Sequence, residues 1–515
     1  YMLGVTLAAV GVTLFARSFG VPSRPAFTAM GVFLVVFWLL GAGDKIPPHG
    51  LNGGIEMFFL SGIAMVTAAT FVLIYNADLL LGLLTLSGGL FSKLIPSIKT
   101  AVAYPLANKF RTGMTISMIS LVVFALVMMA TMNANFNRVF SGSEALGGYQ
   151  VRVEQNPSSP ITDLKGELQK QNYNTSAITS VDSVKVANER AAQLHQPGTS
   201  TSGDNGGFNS YPTIGMSDSF IKDNGLNLQA RATGFASDAD VWQSLTQHPD
   251  QALIDAAALS DSSGGGFGGS SFAIKNVKST DTSFAPFEVT VRDAATGVTR
   301  NVTIVGIITV KASELYHGIF LAPQTFDAVF QHPQTTLDYV KLAPGTNATT
   351  EARGIEKALL TDGVQADSLR KIIDDNQALS QGFSYLIQGF MGLGLFVGIA
   401  AVGVIAFRMV VERRQQIGML RAIGYSKGAV ALSFVMESSF IALLGVLSGI
   451  GLGILLASQL LTSDNFAGSG ITGFYVPWIE VVGIGVFAFL ASLVMTIIPS
   501  RQAASIPIAE ALRYE

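Results

Sequence analysis

The chain has 515 residues, of which 49% are hydrophobic and 13% charged, with 54 glycines, no cysteine and a formal net charge of −3. Soluble domains carry about 25% charged residues, so this composition excludes an ordinary soluble protein, and its apolar content excludes a disordered chain. The lack of cysteine excludes disulfides, thiolate metal sites and cysteine nucleophiles, and the net charge gives no electrostatic case for nucleic acid.

The charge is gathered in one stretch. Residues 133–382 hold 18 of the 32 Lys and Arg and 26 of the 35 Asp and Glu, which leaves 14 and 9 for the other 265 positions. A spanning helix needs about 20 apolar residues. Runs that qualify, or nearly so, are 1–16, 26–41, 57–75, 114–132, 383–407, 429–461 and 478–498. Tyr1 lies inside the first run with no basic region ahead of it, so the chain reads as a fragment or processed product. Segment 79–95 is apolar but broken by Gly88, Gly89 and Lys93, and is expected to lie in the interface.

Short loops rich in Lys and Arg face the cytoplasm. Lys93, Lys99, Lys109 and Arg111 precede the run at 114–132, and Arg408, Arg413, Arg414, Arg421 and Lys427 separate those at 383–407 and 429–461. Both connections are therefore inside. Residues 462–477, with no Lys or Arg, are outside, and the tail with Arg501 and Arg513 returns inside. The polar stretch 133–382 is then extracytoplasmic. The fold class is a polytopic α-helical membrane protein in the cell membrane, with an α+β extracytoplasmic domain inserted between two transmembrane helices.

Within that domain, alternation at 149–154, 287–292 and 298–308 predicts half-buried strands. Ser237 with Asp240 ahead of Val241 and Trp242 predicts a capped helix start, and 323–330 and 351–360 also read as helices. Two lobes are expected. The Gly/Ser/Asn-rich tracts 197–210 and 260–271 read as surface loops. The charged run 368–381, with Arg370, Lys371, Asp374 and Asp375, enters the next apolar run without a proline, which predicts one continuous stalk helix; the alternative is a short connector.

Enzymatic motifs are missing. There is no Gly-x-x-x-x-Gly-Lys-Ser/Thr sequence, hence no P-loop, and no Gly-x-Ser-x-Gly elbow. His49, His195, His248, His317 and His332 are scattered without metal-ligand spacing, and no cofactor is expected. Glu437 lies within an apolar run beside Ser438 and Ser439. A membrane carboxylate there either grips a neighbouring helix or a cytoplasmic arginine, or sits near the headgroups. Gly445, Gly449, Gly453 and Ala457 recur every four residues, a small-residue face for close helix packing or dimer formation, though glycine is common in membrane helices. Segment 412–424 follows the run at 383–407: Ile417, Leu420, Ile423 and Gly424 are placed on one side, and Arg413, Arg414 and Gln416 supply polarity. It reads as a short amphipathic helix ended by a glycine cap, docked on lipid or on a partner.

Glu412 to Gly424, Glu437 with its glycine row, and the closing Pro499-Ser500-Arg501-Gln502-Ala503-Ala504 and Ala509-Glu510-Ala511-Leu512-Arg513-Tyr514-Glu515 resemble the signature of FtsX-like, or MacB-type, ABC transporter permeases. Phe110-Arg111-Thr112-Gly113-Met114-Thr115 is similar to the entry of their first core helix, and 133–382 resembles a MacB-type periplasmic core domain, with Val305-Gly306-Ile307-Ile308 and Gly318-Ile319-Phe320-Leu321-Ala322-Pro323 in expected places. The resemblance implies three linker transmembrane helices at 1–76, a cytoplasmic or interfacial segment at 77–113, a first core helix at 114–132, the extracytoplasmic domain at 133–382, three core helices at 383–498 and a cytoplasmic tail at 499–515. With no P-loop, the chain is not expected to be an enzyme itself. A separate cytoplasmic ABC ATPase, in two copies, would dock on Arg413, Arg414, Ile417, Gly418, Met419, Leu420, Arg421, Ile423 and Gly424. The helices at 114–132 and 383–407 would be levers that move the outer domain, and a second permease core would come from a homodimer or a tandem half. The alternatives are a regulator of an extracytoplasmic hydrolase or sensor, and a membrane receptor without an ATPase.

Overall fold

The computed structural model describes residues 1–42, 56–76, 109–140, 142–197, 207–259, 272–332, 334–412, 414–462 and 473–505. Four helices come first: α1 (Met2–Ser18), α2 (Ser23–Ala42), α3 (Glu56–Tyr75) and α4 (Lys109–Phe140). The polar domain then runs through β1 (Val151–Glu154), α5 (Leu164–Lys170), β2 (Ile178–Ala187), β3 (Ala192–His195), β4 (Asn209–Ser210), β5 (Thr213–Met216), α6 (Asp218–Asp223), β6 (Leu228–Ala232) and α7 (Asp238–Gln247). It continues with β7 (Gln251–Asp255), β8 (Ser283–Phe284), β9 (Phe287–Asp293), β10 (Thr299–Ile308), β11 (Ile319–Leu321), α8 (Pro323–Val329), β12 (Thr335–Leu342), α9 (Ala348–Ala358) and β13 (Gln365–Ser368). The chain closes with α10 (Leu369–Glu412), α11 (Arg414–Ala422), α12 (Lys427–Leu461) and α13 (Trp478–Ser505).

These elements divide into two compact units. The membrane unit is Tyr1–Asn135 with Phe383–Ser463 and Phe474–Glu515, and the outer unit contains Phe136–Gly382. Among the described residues, Ser23–Gly41, Lys109–Val139, Leu369–Ala400, Lys427–Leu461 and Trp478–Gln502 are long and apolar enough to cross a membrane. Met2–Ser18 and Leu60–Tyr75 are shorter apolar helices; the 17 residues of α1 rise about 25 Å, against about 30 Å of hydrocarbon. The chain is a multi-pass membrane protein with an inserted extracytoplasmic domain. Segment 79–95 and the tail beyond Ser505 lie outside the described residues. Helix α13 runs through Pro499 to Ser505 rather than stopping at Ile498. Proline removes one backbone donor from a helix, and Ser500 donates its hydroxyl to the Ile497 carbonyl at 2.8 Å.

In the membrane unit, α3 lies close along α4. A Cβ on Gly62 would run into the Phe124 ring and one on Gly113 into Ile74, while Ser117 bonds Thr70 hydroxyl to hydroxyl at 2.9 Å. Phe37, Trp38, Met65 and Val66 share one apolar cluster with Phe124, Leu452, Leu456 and Leu460. The N-terminal helices are thus packed against α4 and α12.

The outer unit is a single mixed sheet ordered β13-β1-β12-β2-β5-β11-β7-β10-β9-β3-β4, with β6 paired to β10 and to β8. Strands β7 and β10, β5 and β11, and β6 and β8 pair in parallel. Two hydrophobic cores lie on this continuous sheet. One gathers Val151, Leu168, Ile178, Val340 and Ile355, and the other gathers Val184, Phe220, Ile254, Ile307, Phe320 and Tyr339. The expected lobes are therefore cores sharing strands rather than separate sheets. Ser237 and Asp240 form the predicted capping box of α7. Helix α9 begins before the expected Glu351 because Asn347 accepts from the Thr350 N–H at 3.0 Å. Most of the two Gly/Ser-rich tracts lies outside the described residues, but Asn209–Ser210 pairs with β3 and is strand, not loop.

Candidate functional site

The junction of α11 and α12 is shaped by a sharp reversal. Helix α11 ends at Ala422, Gly424 adopts φ +105, and its N–H reaches the Arg421 carbonyl at 3.1 Å. A side chain would be strained at that positive φ, so glycine is required there. Ser426 then caps α12, accepting from the Ala429 N–H at 3.1 Å. Ile417 is buried with Val430 and Phe434 of α12, and Gly418 is buried beside it.

The predicted apolar stripe divides at this point. Ile423 is 78% exposed, Met419 50% and Tyr425 52%. Ile423 lies six residues beyond Ile417, about 240° round a helix of 3.6 residues per turn, and past the last helical residue besides. Ile417 therefore anchors the segment to α12 while Met419, Ile423 and Tyr425 form an uncovered apolar tip. Arg414 and Leu420 belong to α11, Arg421 is half-buried and engaged, and Arg413 lies outside the described residues.

Glu437 is 3% exposed, packed inside the helix bundle, and it is engaged. It opens a row of α12 that continues every four residues through Ile441, Gly445, Gly449, Gly453 and Ala457. That row faces α4. A Cβ on Gly445 would lie 3.0 Å from the Ile119 Cβ, one on Gly449 2.7 Å from the Ser120 carbonyl oxygen, and one on Gly453 3.0 Å from the Phe124 carbonyl oxygen. The small residues are filled by a helix of the same chain. A Cβ on Gly389, Gly392 or Gly394 of α10 would meet nothing within 4 Å.

The outer unit holds polar groups that local spacing did not mark. Asp255 is 0% exposed. One of its oxygens accepts from the Tyr211 hydroxyl and from the Gly318 N–H at 3.2 Å; the other accepts from the Ala257 N–H at 3.3 Å and from His317 Nδ1 at 3.1 Å. Burial works against a charged His317 ring, but the hydrogen bond and charge of Asp255, helped by Glu189, outweigh it and raise the pKa above 6.5. Residues 255 and 317 meet because β7 and β11 pair antiparallel, with Ile254 opposite Ile319. Asp338 is likewise buried, held by Gln155 Nε2 at 2.7 Å and the Ser183 hydroxyl at 2.5 Å. Among the described residues no group of three His, Cys, Asp or Glu side chains could hold a metal ion.

Residues 389–508 match the family described as FtsX-like permease C-terminal. The chain is 26% identical over 228 residues to the ABC transporter permease YknZ of Bacillus subtilis, covering 42% of this chain and 53% of the relative. It is 32% identical over 148 residues to the macrolide export ATP-binding/permease protein MacB of Bdellovibrio bacteriovorus, covering 28% of this chain and 21% of the relative. It is 30% identical over 141 residues to the lipoprotein-releasing system transmembrane protein LolC of Xylella fastidiosa, covering 24% and 34%. The chain thus spans about half or less of the length of these relatives. A crystallised permease-protein domain from Porphyromonas gingivalis, 12% identical, overlays 43% of this chain with a TM-score of 0.24, too low to establish a shared fold. The likeness to FtsX-like permeases is thus carried by residues 389–508, and these relatives are permeases or transmembrane subunits by name.

Proposed function

We propose that this FtsX/MacB-type permease couples ATP hydrolysis by a separate cytoplasmic ATPase, present in two copies, to movement of its extracytoplasmic domain. The observation that carries the reading is the uncovered tip of Met419, Ile423 and Tyr425, held on α12 through buried Ile417, within the stretch that matches the FtsX-like family. An apolar tip at a cytoplasmic surface has to be covered, and a groove on an ATPase would cover it. Arg413, Arg414 and Arg421 would supply polar contacts at its rim. The 44 residues of α10 form one helix from the end of β13 to Glu412, which suits a lever. The first core helix, α4, would be the second lever.

Substrates would be lipid-linked, peptidic or hydrophobic molecules handled outside the membrane; the names of MacB, for macrolide export, and LolC, for lipoprotein release, accord with the hydrophobic and lipid-linked classes. A second permease core would cover the open glycines of α10. The experiment is co-purification of Met419→Asp/Ile423→Asp with a cytoplasmic ABC ATPase. The substituted chain should keep its fold and lose the nucleotide-binding partner. A partner bound as before would remove the coupling assignment, and an unsubstituted chain that brings down no ATPase would favour the receptor reading.

A further inference from the structure

Between β10 and β11 the chain makes a short 3-10 turn, Val310–Ala312, and then runs through Ser313 to Gly318. Each side chain of consequence in this segment touches a different part of the outer unit. Lys311 pairs with Glu144, just beyond α4, at 2.8 Å. Tyr316 is fully buried and donates its hydroxyl to the Leu146 carbonyl at 2.9 Å. The Leu315 carbonyl accepts from the Tyr339 hydroxyl of β12 at 3.3 Å. His317 and the Gly318 N–H close on Asp255 as described above. Gly318 has φ +143, and a Cβ there would stand 2.7 Å from the Pro212 carbonyl oxygen, so the segment is pinned at that end.

Its middle faces the first turns of α10. Burial pushes the Glu314 carboxyl up, and the Gln377 side chain beside it opposes that shift. Glu314 Oε2 and Gln377 Nε2 are both buried, and neither meets a partner at full hydrogen-bond geometry among the described residues. Gln377 Oε1 accepts from Gln381 Nε2 at 3.5 Å, which also reaches Asn137 Oδ1 of α4 at 3.4 Å. A line of side chains therefore runs from the last turns of α4 across α10 to Glu314.

We propose that Val310–Gly318 is a proton-responsive latch: protonated Glu314 and His317 hold it against the first turns of α10 and the Asp255 knot, and deprotonation as the external pH rises loosens it. The groups that face it are Glu144 on Lys311, Gln377 on Glu314, Asp255, Tyr211 and Glu189 around His317, and Tyr149, Tyr339 and Arg152 around Tyr316. Both titrating ends act in one direction. A neutral Glu314 tolerates burial beside an amide and a charged one seeks water, while an imidazolium pairs with the buried Asp255 charge and a neutral ring does not. Because the domain lies outside the membrane, its pH is that of the surroundings.

The test is amide hydrogen exchange of the full chain in lipid nanodiscs, corrected for the intrinsic pH dependence, followed over 310–318 and 369–377 between about pH 5 and about pH 8. Protection of both stretches should fall several-fold as pH rises. In Glu314→Gln/His317→Asn the fall should vanish. Glu314→Gln alone is isosteric and should keep α10 protected at the higher pH, which guards against a double variant that does not fold. Flat protection in the unsubstituted chain, or a pH response that survives in the variants, would overturn the proposal. No ATPase is needed, so the outcome is independent of the coupling reading.

Discussion

In the membrane unit the closest approaches are made by glycines: Gly445, Gly449 and Gly453 bring the α12 backbone against that of α4. In the outer unit the tightest junctions are made by buried carboxylates, Asp255 and Asp338, each accepting from two or more donors. The contrast follows from solvent. Lipid gives two helices no hydrophobic reason to associate, so dispersion between close backbones has to serve, and a small-residue row supplies it. In water a sheet already gains from apolar burial, and a satisfied carboxylate adds the specific tie between loops that are distant in sequence. Glu437 is the exception on the membrane side, an acid at the end of the glycine row.

The comparison can be broken from either side. The largest effect is expected for Asp255→Ala, which strands the Tyr211 hydroxyl, the His317 ring and two N–H groups; loss of a partner in a buried charged pair costs about 3–5 kcal/mol, and thermal unfolding followed by near-ultraviolet dichroism would read it. Gly449→Leu should come next. Its side chain meets the α4 backbone, and overpacking costs about 1–3 kcal/mol, seen as a lower melting temperature and lower yield in detergent. A Gly449→Leu chain as stable as the parent would mean that the seam is looser than its geometry indicates.

A smaller effect is expected from pH. His317 is raised above 6.5 in the folded chain, so the stability it contributes is complete below about 6.5 and is lost as pH rises through the folded value. Its side chain is 35% exposed, and solvent screening keeps the effect to under about 1 kcal/mol, a drop of about 1–2 °C in melting temperature. His317→Asn should abolish that slope. Gly392→Leu on α10 should be nearly neutral for the single chain, within about 0.5 kcal/mol, because open space surrounds it; reduced self-association with unchanged melting would locate a second core on that face.

Much of this architecture was legible in the residues. Apolar runs marked the membrane helices, alternation marked β1, β9 and β10, and Ser237 with Asp240 marked the start of α7. The row at Gly445, Gly449 and Gly453 announced close packing, but periodicity identifies a face and not what covers it, so α4 as its occupant was out of reach. Strand β2 was missed because Asp182 and Ser183 interrupt its apolar alternation, and Asp182 is buried with the Tyr149 hydroxyl at 3.0 Å and the Ser180 hydroxyl at 3.4 Å. The Asp255–His317 contact spans two strands that pair far from each other in the chain, beyond any local motif. Ile423 was assigned to the wrong side because the helix ends before it.

The two cores of the outer unit share strands. Ile178 of β2 and Val340 of β12 belong to one, while Val184 of β2 and Tyr339 of β12 belong to the other. Neither core can be dismantled without tearing these two strands from the middle of the sheet. The unit should therefore open as a single foldon, with amides of β2 and β12 exchanging only through its global unfolding and a defect in one core lowering the protection of both alike.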